Sequence, residues 1–189
     1  MEDRGLERES ALALLHEYVK GDGLIKHCLA AEAAMRAYAL KYDGDPDLWG
    51  LAGLLHDFDW EIHPNAEQHP TAGAPILRAA GVPEEVIYAI LAHAEYLNLE
   101  RKSWMDKALP AVDELSGFII AVALVRPSKS LGDVEVSSVK KKMKDKAFAR
   151  AVRREDITAG AELLGISLDD HISTVIDAMR AISPELGLV

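Results

Sequence analysis

Apolar positions along the chain recur at spacings of three and four, and no segment alternates strictly. That is the period of helices packed on one face, and Ala, Leu, Glu and Lys dominate the segments that show it. The pattern predicts a first helix over residues 9–20. A second over 23–42 carries Leu24, His27, Cys28, Ala31, Met35 and Tyr38 on one stripe. The turn "DGDPD" follows, and Pro46 suits the first turn of a third helix that ends near His56. Residues 58–69 read as a loop. A short helix over 71–80 stops at Gly81, and Pro83 opens the next, "PEEVIYAILAHAEYL". Residues 98–108 read as a loop or broken helix. An apolar helix spans about 110–125 and is stopped by "RPS". Three more are expected near 136–149, 154–164 and 168–182. With no repeat, low-complexity tract or linker, the chain reads as one all-α domain over 1–189: a helical bundle with a functional core at about 24–129 and a helical extension at about 130–189.

Within this pattern the stretch "AGLLHDFDWE" is anomalous. A core helix ends in His56 and Asp57, with Asp59 and Glu61 following. Buried charge is costly unless paired or bound to a metal. Four more residues share the anomaly. His27 lies in the apolar stripe of the second helix. His93 follows Val86 and Ile90 by seven and three positions and shares their face. Asp113 shares a face with Ser116, Gly117 and Ile120, and the small Ser116 and Gly117 would admit a close neighbour. His69 lies at the end of the loop. Singly, each has an ordinary explanation as a hydrogen-bonded core histidine or a helix-capping aspartate. Together, four histidines and two aspartates would need many matched polar partners, whereas one or two metal ions satisfy all six. Imidazole and carboxylate without thiolate suit Fe, Mn, Co, Ni or Zn better than Mg or Ca. Two divalent ions against two aspartates and a hydroxide leave the site positive, which would attract phosphate.

Composition narrows the function classes. The 189 residues are 49% hydrophobic and 28% charged, an ordinary globular balance that excludes disorder as the default. The longest apolar run, "GFIIAVALV", is too short to span a bilayer. The N-terminal "MEDRGLERES" shows no secretory signal, and the single Cys28 fits a reducing, cytoplasmic setting. A net charge of −10 argues against a nucleic-acid polymer as partner. Residues 140–154 nonetheless hold eight basic residues against one acid, which reads either as a solvated helix face or as an anion site that includes Lys141. His16 and His171 read as structural, and Cys28 as core. Trp60 and Trp104 read as packing, with a stacking wall as the alternative.

The ordered set His27, His56–Asp57 and Asp113 resembles the metal-dependent phosphohydrolases of the HD superfamily, an all-α fold with the motif H…HD…D. The further "EQHPTAGAPIL" (His69) and "AILAHAEY" (His93) resemble the dinuclear branch, which includes bacterial symmetrical dinucleoside tetraphosphatases. The resemblance covers residues 24 to about 129. It implies that His27, His56, Asp57 and Asp113 hold one divalent ion and that His69 and His93 complete a second, with Asp57 bridging. His56 and Asp57 would be the catalytic pair, Asp57 orienting the nucleophile on a small phosphorylated substrate, a nucleotide by expectation. Members of that branch often carry Arg three residues after the first His and Lys shortly after HD. Here Ala30 and Asp59 or Glu61 stand there, so the tetraphosphatase contacts do not transfer. Arg126, Lys129 and Lys141 are the candidate replacements for binding substrate. Two rival readings stay open: a diiron oxygenase on the same fold, and a sensor that binds a nucleotide without cleaving it. The oligomeric state is also open.

Overall fold

A computed structural model describes residues 6–189; the first five residues of the charged N-terminal decapeptide lie outside it. Ten α-helices and no strand occur among the described residues: α1 (Arg8–Tyr18), α2 (Asp22–Lys41), α3 (Pro46–Leu55), α4 (Ala74–Ala79), α5 (Glu84–His93), α6 (Trp104–Leu124), α7 (Val136–Met143), α8 (Arg154–Leu163), α9 (Leu168–Ala181) and α10 (Ser183–Leu186). None is long and apolar enough to cross a membrane. The all-α expectation therefore holds.

The long helices α2 and α6 form the centre. α2 packs on α3, α6 and α9, and α6 takes α5 and α8 on its other sides. α2 and α3 approach closely because Gly53 faces Ala31: a Cβ at Gly53 would lie 2.6 Å from the Ala31 carbonyl oxygen. The same device brings α8 onto α6, where Gly160 meets Ala111. Tyr38, Leu54, Leu55, Phe58, Leu109, Leu115 and Phe118 are fully buried at this centre. Val139, Ile157, Val175 and Met179, from α7, α8 and α9, belong to the same apolar cluster. His171 ties three helices together. Its Nε2–H donates to the Ala111 carbonyl (2.9 Å) and its Nδ1 accepts from the Tyr38 hydroxyl (2.6 Å).

Three boundaries differ most from the sequence reading, and a short last helix, α10, was not expected. α6 begins at Trp104 rather than near 110, because Ser103 and Asp106 form a reciprocal capping box there. Pro110 then sits inside the helix, where the pattern had suggested a start. α5 stops at His93 instead of running through "AEYL", since Ala94 turns extended (ψ 103°) and a 3₁₀ turn, Glu95–Leu97, follows. α7 stops at Met143 rather than 149. The Arg154 guanidinium binds the carbonyls of Ala149, Val152 and Phe148, and so holds the following segment as turns.

Candidate metal centre

All six sequence-selected polar residues converge where the ends of α3 and α5 and the turn bearing His69 meet the second turn of α2 and the middle of α6. Two groups form, each with its candidate ligand atoms mutually within 4.8 Å: His27, His56, Asp57 and Asp113, and Asp57, His69 and His93. Asp57 faces both. Its Oδ2 lies 3.5 Å from His56 Nε2 and 3.7 Å from His27 Nε2. Its Oδ1 lies 3.3 Å from His69 Nε2 and 3.8 Å from His93 Nε2. Asp113 Oδ1 is 3.0 Å from His27 Nε2 and 3.5 Å from His56 Nε2.

Local structure decides which nitrogen faces inward. The last four carbonyls of an α-helix lack intrahelical partners. At the end of α3, His56 Nδ1–H donates to the Gly53 carbonyl at 2.8 Å. At the end of α5, His93 Nδ1–H donates to the Ile90 carbonyl. His69 Nδ1–H donates to Asp59 Oδ1 at 2.7 Å. With these three Nδ1 protons committed outward, the neutral rings of His56, His69 and His93 present Nε2 lone pairs to the centre. His27 and His56 bring their Nε2 atoms within 3.0 Å. Three inward lone pairs and two carboxylates leave this face rich in acceptors, which a cation, proton or metal, relieves.

Electrostatics report the same demand. Burial lowers the proton affinity of His56, but the Asp57 charge and the Asp113 hydrogen bond outweigh it and lift the ring to about 9. His69 likewise loses by burial and gains more from hydrogen bonds to Asp57 and Asp59, reaching about 9. Burial opposes ionisation of Asp57, yet the neighbouring imidazoles hold it below the usual carboxylate range. His93 is pushed down, first by burial and then by the His56 charge. The spacing fits a metal. Two donors about 2.1 Å from one ion, at 90–110° to each other, stand roughly 3.0–3.4 Å apart, close to the separations found here.

One side of the cluster opens into a cleft of about 470 Å³ lined by Asp57, His69, His93 and Asp113. Trp60 and Tyr96 supply exposed aromatic surface there, and Arg101 and Arg153 supply positive charge. His56 is fully buried behind them. Arg101 is partly committed to the Ala92 and His93 carbonyls at the end of α5. Arg153 is exposed and reaches Glu95 at 3.1 Å and Asp156 at 3.3 Å. Glu114, beside Asp113 in sequence, accepts the Arg153 backbone N–H, and burial followed by the Asp113 charge raises it to about 7.

Several expectations are corrected by this placement. Arg126, Lys129 and Lys141 are not among the residues lining the cleft. Arg126 bonds to Ser138 instead. Part of the basic segment is engaged locally: Lys140 pairs with Asp169, Lys142 lies over Phe148, and Arg154 holds carbonyls. Arg153 alone of that segment lines the cleft. Asp59 and Glu61, whose roles the sequence leaves open, do not line the cleft. Asp59 is buried behind His69, and Glu61 accepts the backbone N–H groups of Lys20 and Gly21 at the start of α2. Glu95 enters the cleft because α5 stops before it. Trp60 and Trp104 part company: Trp60 is edge-on to His69, whereas Trp104 stacks on Tyr42 in a separate cleft. Cys28 is buried, as expected.

Comparison with known proteins bears on the family of the chain. Over half this chain the sequence is similar to two curated relatives named ribonuclease Y. The protein from Desulfotalea psychrophila (strain LSv54 / DSM 12343) is 31% identical over 98 residues, which is 51% of this chain and 18% of that protein. The one from Cutibacterium acnes (strain DSM 16379 / KPA171202) is 30% identical over 98 residues, with the same coverage. The chain thus spans under a fifth of the length of these relatives. No solved structure gives a significant match. The comparisons carry the superfamily and not the tetraphosphatase branch. A family model described as "HD domain" matches residues 24–182, a span holding all six clustered residues, and the chain therefore belongs to the HD domain family.

Proposed function

We propose that the protein is a metal-dependent hydrolase of a phosphate ester or anhydride, acting on a small phosphorylated compound of the nucleotide class. The observation that carries this reading is the acceptor-rich cluster. Inward Nε2 lone pairs and two carboxylates form two groups that share Asp57, one oxygen to each. His27, His56, Asp57 and Asp113 would hold one ion, and Asp57, His69 and His93 a second, of Fe, Mn, Co, Ni or Zn. Bound there, such ions supply an activated water and offset charge on the phosphoryl oxygens.

The chain's own residues do the positioning. The Nδ1 hydrogen bonds of His56 and His93 fix their rings to helix ends. The open side of Asp57 and Asp113 admits the phosphoryl group from the cleft. Arg153 stands exposed at that cleft as the contact for a further anionic group. Trp60 and Tyr96 offer apolar faces to the organic part. The cleft's volume suits a small ligand. Glu95, Glu114 and Asp156 at its rim, together with the net charge of −10, disfavour a polyanion. An RNA phosphodiester, suggested by the relatives' name, is therefore the secondary substrate class. The lone buried Cys28 fits a cytoplasmic setting.

The test is turnover of metal-stripped protein reloaded with Mn²⁺, Fe²⁺, Co²⁺ or Ni²⁺. The panel holds nucleotides, other phosphomonoesters and a short RNA, with phosphate release and metal content measured together. Metal-dependent release is expected. His93→Ala should lose most of it while bound metal falls from two ions per chain towards one. Turnover that stops without O₂ would refute hydrolysis in favour of oxygenase chemistry. Full metal loading with no turnover of any substrate would favour a binding role.

A further inference from the structure

Asp59 lies two residues beyond the Asp57 ligand in the turn that follows α3, and it is fully buried. Its Oδ1 accepts the His69 Nδ1 proton at 2.7 Å. Its Oδ2 is buried with no hydrogen-bond partner. The room for that oxygen comes from Gly73, where a Cβ would stand 2.6 Å from Oδ2. A carboxylate buried with one oxygen bare is expensive to keep, so its single hydrogen bond to His69 calls for an explanation beyond packing.

The two ligand groups supply one. The first group holds the carboxylates of both Asp57 and Asp113, besides two imidazoles. The second holds one oxygen of the shared Asp57 and the neutral rings of His69 and His93. A dication there meets less negative charge than its neighbour does. Behind His56 and His93 stand only backbone carbonyls, of Gly53 and Ile90. Behind His69 stands a carboxylate. A carboxylate on the far nitrogen fixes an imidazole's tautomer and orientation and strengthens its other nitrogen as a donor. We propose that Asp59 is a positioning residue for the second ion: through His69 it supplies the anionic charge that the Asp57–His69–His93 group lacks. This rests on the reading of two metal subsites. It also assigns the acid that stands where related phosphatases carry Lys after HD to the metal rather than to the substrate.

The experiment is a Co²⁺ or Ni²⁺ titration of metal-stripped, full-length protein. It is followed by bound-metal analysis and by tryptophan fluorescence, since the Trp60 ring lies 5.0 Å from that of His69 and reports ions bound there. Thermal stability is measured in chelator. Asp59→Asn keeps the side chain's size and removes its charge. Gly73→Ala leaves Asp59 in place and presses on its carboxylate, so it does not depend on Asp59→Asn folding well. Both variants should bind the first ion as the wild type does. The second ion should bind about 10- to 100-fold more weakly, with the fluorescence response shifted to match; Asp59→Asn should leave stability in chelator little changed, whereas Gly73→Ala, whose Cβ also meets Phe58 at 2.9 Å, should lose some. Two ions bound with wild-type affinity by Asp59→Asn would overturn the inference. So would equal weakening of both ions alongside lost stability in chelator, which is the signature of a purely structural bond. A wild-type protein that takes up one ion only would overturn the two-subsite reading itself, and the inference with it.

Discussion

Gly53→Ala tests whether the close approach of α2 and α3 sets the metal geometry. The new Cβ would stand 2.6 Å from the Ala31 carbonyl oxygen and 2.7 Å from the Ala31 carbonyl carbon and the Glu32 nitrogen. These are backbone atoms of α2, so no side-chain rotation relieves them. Ordinary contact begins at 3.4 Å, and the helices must therefore part by roughly 0.8 Å locally. His27 rides on α2 and His56 caps α3, with their Nε2 atoms 3.0 Å apart. A functional site tolerates about 0.5 Å of displacement, so the first ligand group opens beyond its limit. Overpacking of this kind costs about 1–3 kcal/mol, a drop in Tm of roughly 2–12 °C for a chain of this size. Turnover should fall by about 100-fold, the penalty of a misplacement near 1 Å. Calorimetry in chelator gives the first quantity; metal titration and steady-state kinetics give the second. Gly44→Ala is the control, since its Cβ meets the Trp49 side chain at 2.5 Å, in the other cleft. It should lose stability and keep its metal. Gly53→Ala with unchanged metal affinity, whatever its stability, would refute the link between the helix approach and the site.

Two further outcomes follow from groups around the centre. His171 is buried and neutral, and burial lowers its folded pKa to about 4 against roughly 6.5 in an unfolded chain. As the pH falls the unfolded chain takes the proton first, so this stability is fully present above about 6.5 and is lost towards 4. It amounts to about 3 kcal/mol, and urea unfolding of wild type against His171→Gln from pH 7 to 4 should show that much less pH dependence in the variant; parallel curves would sink the assignment. Arg153→Ala should raise KM for a phosphorylated substrate by about 10-fold or more, as loss of a hydrogen bond to a charged group predicts. Its exposed pairs with Glu95 and Asp156 are worth little to the fold, so Tm should stay nearly constant, and an unaltered KM would remove Arg153 from substrate binding.

The metal-centre candidates were legible because each polar residue interrupts an apolar helical stripe, an anomaly visible without knowing any partner. His27 sits between Leu24 and Ala31, and Asp113 precedes Ser116 and Gly117, where the small residues themselves signal a close neighbour. The roles of Asp59 and Glu61 were not legible. Their partners lie 10 and about 40 residues away, at His69 and at Lys20 and Gly21, and no local spacing encodes such pairings. A weak hint existed: Asp59 stands between Phe58 and Trp60, and an acid flanked by large apolar groups must find a partner or a cation. Arg153 was hidden by a boundary error. Had α7 continued to residue 149, as its charge pattern allowed, the basic run would have read as one exposed helical face. The carbonyls held by Arg154 end that regularity, and Arg153 turns to the cleft.

The boundary that looks like an oddity in "LLHD" is itself part of how the candidate ligands are made. Inside a helix, a histidine's Nδ1 finds backbone carbonyls already spent on i→i+4 bonds, so its tautomer must be set by some other group. At a helix end the carbonyls are free, and His56 and His93 each take the one three residues back. The chain thus satisfies an orphan acceptor and fixes an inward lone pair with one hydrogen bond. His69 lies outside the helices, and there a carboxylate, Asp59, performs the same task. His27 lies within α2 and has neither support; a Cβ at Gly117 would only reach ordinary contact with its Nδ1, at 3.7 Å. Three of the four rings are therefore oriented by the chain before any cation arrives. That preorganisation is what lets histidines from four separated segments act as one acceptor cluster rather than as four independently solvated side chains.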